Sequence, residues 1–128
     1  QPLLLPLSMT YQLATGVWSW QYEQGNFEVS FVDGGEFICV DYPENSSWKG
    51  CCSECASKIT VEWGKFGNYT MELQEDGKSM KGFYTGYPDD WRKGQWIRAH
   101  TAEELATIKE AAAANMNHGH QHSASCNH

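Results

Sequence analysis

Between Val17 and Arg98, apolar and aromatic residues recur at every second position in short runs, and turn residues break each run before it reaches helical length. A period of two is the signature of a strand with one buried face. Trp18, Trp20 and Tyr22 share one face of a first strand, and Phe27, Val29 and Phe31 share a face of a second. Asp33-Gly34-Gly35 supplies residues that tolerate positive φ for the tight turn between the second and a third strand, Phe37 to Tyr42. A polar loop with Trp48 and a cysteine cluster follows. Further strands carry Ile59, Val61 and Trp63, then Tyr69, Met71 and Leu73, then Met80 to Tyr84, and a last one Gly94 to Arg98. These seven strands leave no room for crossover helices, so the expected sheet is antiparallel.

After residue 100 the period changes. Thr101 and Glu104 have capping-box spacing, and Leu105, Ile108 and Ala112 form one stripe of a helix expected to end near Asn115. With only two large apolar residues on that stripe, the helix is expected to lie over one end or edge of the sheet. The expected organisation is an N-terminal arm over 1–15, an aromatic-rich β domain over 16–99, a helix over 100–116 and a flexible His-rich tail over 117–128. The fold class is all-β: a small antiparallel meander barrel, or a strongly curled sheet, with one C-terminal helix.

Composition narrows the function classes. Nine Lys+Arg against sixteen Asp+Glu give a formal charge of −7. That balance argues against nucleic-acid binding, which needs cations to replace counterions on phosphates. No apolar run approaches the length of a transmembrane helix. The sequons Asn45-Ser46-Ser47 and Asn68-Tyr69-Thr70 lend some support to a secretory or organellar route after processing, and the compartment stays open.

Val17-Trp18-Ser19-Trp20, Gly35-Glu36-Phe37, Trp63-Gly64-Lys65-Phe66-Gly67 and Trp91-Arg92 together outline a small aromatic-rich β domain. It resembles the calycin-type meanders, the superfamily of lipocalins, fatty-acid-binding proteins and avidins, whose first strand opens with Gly-x-Trp as Gly16-Val17-Trp18 does here. The resemblance covers residues 17 to 98 and implies a hairpin-built barrel that can carry a small apolar ligand. An eight-stranded barrel has an interior just wide enough for side chains or one small ligand. Seven short strands bearing so much aromatic volume predict a filled interior. Trp18, Trp20, Phe27, Phe31, Phe37 and Trp63 are expected to be mostly buried and in mutual contact.

Motifs for catalysis are missing: there is no G-x-S-x-G, H-E-x-x-H, P-loop or dinucleotide fingerprint. The acidic pairs Glu75-Asp76, Asp89-Asp90 and Glu103-Glu104 fall at expected turns or at the helix start, where capping accounts for them. Cys39 with His100 is the one conceivable nucleophilic pair, set against a plain buried thiol. The expectation is therefore a non-enzymatic binding or accessory module that contacts a protein partner or larger assembly. A lipocalin-like carrier of a small apolar ligand and a metal-handling protein are the alternatives. Trp48, Trp91 and Arg92 are the residues proposed for a ligand or partner surface, because exposed Trp beside loop residues is enriched at interfaces. The remaining basic residues read as scattered among acids.

No cofactor is required by these motifs, but two groups can ligate metal. His118, His120 and His122, with Cys126 and His128, form the densest set, suited to copper, zinc or nickel. Cys51, Cys52 and Cys55 offer a secondary metal site or a loop disulfide, and no second C-x-x-C completes a four-ligand site.

Overall fold

A computed structural model describes residues 14–50 and 57–126, with side chains described as far as residue 116. The strands are β1 Gly16–Tyr22, β2 Gly25–Val32, β3 Glu36–Ile38, β4 Ser46–Gly50, β5 Lys58–Trp63, β6 Asn68–Leu73, β7 Ser79–Tyr84 and β8 Tyr87–Arg98. A single 3-10 turn, Gly64–Phe66, joins β5 to β6, and helix α1, Ala102–Cys126, follows β8. Every strand pairs antiparallel with its sequence neighbours. Strand β8 then returns to β1, with Trp18 opposite Trp96 and Trp20 opposite Gly94, and the sheet closes into a barrel. This closed antiparallel barrel with one C-terminal helix is compatible with the calycin-like fold.

The barrel has eight strands, not seven. The added one, β4, lies in what reads as a polar loop, because Ser46-Ser47-Trp48-Lys49-Gly50 holds a single large apolar residue and shows no alternation. Its partner supplies the pattern: Trp48 pairs with Val61 of β5. Trp48 is only 2% exposed, its ring lies 5.2 Å from that of Phe31, and its Nε1 donates to the Val32 carbonyl at 3.0 Å. It is a core residue and leaves the set of surface candidates. Strand β8 begins at Tyr87, well before Gly94, so Asp89, Asp90, Trp91 and Arg92 lie on a strand and not at a turn.

The inward faces meet as expected. Trp18, Trp20, Phe31, Phe37, Ile59 and Met71 are fully buried, with Trp63 nearly so. The Trp20 ring lies 5.9 Å from Phe37, 5.8 Å from Trp63 and 5.6 Å from Tyr69, all edge-on, the favoured geometry for ring quadrupoles. Phe27 is only half-buried and packs at the margin of this cluster. Gly16 enters β1 at φ +130°, where a Cβ would meet the Trp96 ring and sit 2.8 Å from the Arg98 carbonyl. The Gly-x-Trp opening therefore serves the closing β1–β8 seam.

Strict alternation fails along one outer row, where Val17, Ser30 and Ile38 are opposite one another and all buried. Helix α1 lies against this side. Ile108 shares a recess with Val17, Ser30 and Ile38, Lys109 pairs with Glu36 at 3.4 Å, and Asn115 Nδ2 donates to the Val40 carbonyl at 2.7 Å. A closed barrel offers no edge, so the helix covers an outer face and not an edge. The Thr101 hydroxyl accepts from the Glu104 amide at 3.0 Å, as the capping box requires. The Glu104 carboxylate turns instead to Arg98, whose Nε donates to it at 3.0 Å. The helix continues past Asn115 to Cys126.

Candidate functional site: an aromatic cup at the barrel mouth

In a meander, alternate connections emerge at the same end of the barrel. The connections β1–β2, β3–β4, β5–β6 and β7–β8 share one end here, and each is flanked by aromatic residues. Tyr22 ends β1, Phe27 lies just inside β2, Tyr42 follows β3, Phe66 closes the 3-10 turn, and Tyr69 opens β6. Their rings form a connected wall. Phe27 lies 5.7 Å from Tyr22, 5.0 Å from Tyr42 and 5.8 Å from Trp63, and Phe66 lies 5.6 Å from Tyr42 and 5.8 Å from Trp63. Together with Trp20 and Arg92 they enclose an open cup of about 240 Å³.

Two polar atoms of the wall are tied to backbone carbonyls within it. Trp63 Nε1 donates to the Tyr42 carbonyl at 3.0 Å, and Tyr69 Oη donates to the Phe66 carbonyl at 2.7 Å. Burial pushes the Tyr69 phenol upward, partly opposed by the nearby Arg92 guanidinium. Tyr69 therefore stays neutral near pH 7. Gly67, at φ +93°, leaves its Cβ position to the ring of Tyr84, which lies 5.4 Å from Tyr69.

Arg92 forms one side of the cup. Its guanidinium carbon sits 5.4 Å from the Tyr22 ring centre and 5.2 Å from that of Tyr69, within cation–π range. Asp90 Oδ1 accepts from its Nη1 at 2.6 Å, and the side chain is only 14% exposed. This pairing with Asp90 orients the cation over the tyrosines.

Trp91 and Arg92, adjacent in sequence, point to opposite faces of β8. Arg92 faces the cup, whereas Trp91 is 41% exposed on the outer surface. The structure does not bring them into one site. Cys39 is buried, its Sγ donates to the Glu28 carbonyl at 3.6 Å, and burial pushes its pKa up to about 11. A thiol so protonated is a poor nucleophile, and among the described residues no bond joins it to His100. Cys51, Cys52, Cys55 and His128 lie outside the described residues. His118, His120, His122 and Cys126 belong to α1, but their side chains lie outside the described set. Among the described residues no group of three His, Cys, Asp or Glu side chains gathers as a metal site. No described helix is long and apolar enough to cross a membrane.

Residue-by-residue reading missed Tyr22, Tyr42, Phe66 and Tyr69 as site residues and assigned Trp20, Phe27 and Trp63 to the core alone. A usable signal was present, since aromatics flank every odd-numbered hairpin connection and a meander sends those connections to one end. Comparison with family models, with curated proteins and with solved structures gives no match for this chain.

Proposed function

We propose that this protein is a non-catalytic binding module whose barrel mouth takes a small, flat, mainly apolar ligand, in the manner of a lipocalin-like carrier. The observation that carries this reading is the cup itself, an open recess of about 240 Å³ walled by aromatic rings with one oriented cation. Its volume lies just under the usual range of about 300–1,000 Å³ for drug-sized ligands. The core below it is filled by Trp20 and its neighbours, so a long acyl chain has no channel to follow. Ligands of one or two fused rings match the space, and ring faces and edges in the wall suit them.

The test is a titration of the full chain with 2-naphthol, read by NMR at the Trp63 indole N–H. Saturable shifts at Trp63 that disappear in Tyr42→Ala and weaken in Arg92→Ala support the reading. No shift, or shifts spread evenly over the protein, would overturn it. Mass spectrometry of compounds that co-purify with the native protein then identifies the physiological ligand.

A further inference from the structure

Outside the barrel, the strand register assembles a feature that is invisible along the chain. Across β6, β7 and β8, Thr70, Phe83 and Trp91 are opposite one another in one row, and Glu72, Lys81 and Lys93 in the next. Lys58 of β5 continues the second row beyond Glu72. These side chains border an open groove of about 660 Å³ on the outer surface. Lysines that are scattered in sequence are therefore gathered beside the exposed Trp91 and the half-buried Phe83, on a chain of formal charge −7.

Among the described residues Lys58, Lys81 and Lys93 make no ion pair within 4 Å. The Lys93 ammonium instead lies 5.4 Å from the Trp91 ring centre. Lys81 and Lys93 face each other directly across β7 and β8, an arrangement that destabilises a sheet through like-charge repulsion. An anion placed between them would relieve that repulsion. We propose that this face docks an acidic peptide segment of a partner protein, its carboxylates on Lys81, Lys93 and Lys58 and an apolar side chain on Phe83 and Trp91.

The charge of the rest of the chain favours a peptide over larger anions. The negative charge of the rest of the chain repels an extended nucleic acid or an anionic membrane, both of which present charge far beyond the patch. A short acidic segment confines its charge to the groove. Because β6, β7 and β8 are each paired on both sides, the segment cannot join the sheet as a strand. Recognition therefore falls to side chains, with Coulomb attraction supplying rate and register and the Trp91 platform supplying burial.

The full chain is titrated by fluorescence anisotropy with a labelled synthetic peptide of glutamates around one phenylalanine, at low and at high salt. Saturable binding should weaken about tenfold or more as salt screens the lysines. The double variant Lys81→Gln/Lys93→Gln should lose about tenfold in affinity, and Trp91→Ala should weaken binding at either salt. Glu72→Gln should tighten it, a change that a merely structural role for this face would not produce. The double variant should keep its urea midpoint, since it removes the Lys81–Lys93 repulsion together with the Glu72–Lys81 attraction, so lost binding cannot be ascribed to unfolding. It should also retain the 2-naphthol response at Trp63, which separates this face from the cup. Binding that the double variant leaves intact, equal binding of a lysine-rich control peptide, or self-association of the chain through this face would overturn the proposal. So would capture by anionic vesicles without peptide binding.

Discussion

Trp20→Ala tests the packing logic of the barrel and the cup together. Trp20 is 1% exposed and meets Phe37, Trp63 and Tyr69 edge-on. A side chain of this kind buries roughly 150–250 Å², which at about 25 cal/mol per Å² corresponds to roughly 4–6 kcal/mol of transfer free energy. Alanine keeps a small part of that contact, and the surrounding rings collapse only partly into the void. The net loss should be about 3–5 kcal/mol, a large share of the ~5–15 kcal/mol that holds a single domain folded. Urea unfolding followed by circular dichroism measures it as a lowered midpoint at unchanged slope. Because Trp20 also lines the cup, the variant that remains folded should accept a probe one ring larger than 2-naphthol. A loss under about 1 kcal/mol, typical of a surface site, or no change in probe size would refute the claim that this indole both fills the core and floors the cup.

Three further outcomes follow from individual contacts. With its pKa raised from 9.0 to about 11 by burial, Cys39 should resist alkylation in the folded protein near pH 8 and react on unfolding, as peptide mass spectrometry would record. The folded state then holds a proton that the unfolded chain releases first, so the Cys39 contribution to stability should be complete below pH 9 and lost as pH rises through about 11; fast labelling of the native thiol would contradict this. Thr101→Ala should cost about 0.5–2 kcal/mol by removing the cap on the Glu104 amide, seen as fraying of α1 by hydrogen exchange. The Arg98 hydrogen bond holds Glu104 below the usual glutamate range, so that tie should persist as pH falls past the ordinary value and break only through the lowered one. An NMR titration of Glu104 showing an ordinary midpoint would remove it.

The all-β antiparallel architecture was legible from residue spacing, because period two and hairpin-length connections admit few alternatives. The buried aromatics on β1, β2 and β5 were legible for the same reason. Trp48 was not, since a strand with one apolar side chain carries no alternation and takes its register from Val61 across the sheet. Nor was the division of Trp91 from Arg92 apparent until β8 proved to begin at Tyr87, which places neighbours on opposite faces. By itself the sequence determined which residues alternate, where the chain turns and where the helix is capped, all properties of neighbours within a few positions. Only the tertiary structure decided that β8 closes on β1, that aromatics from three connections meet in one cup, and that Lys58, Lys81 and Lys93 share one outer face. Those juxtapositions depend on pairing between distant segments, and pairing is set by how the whole sheet curls and closes.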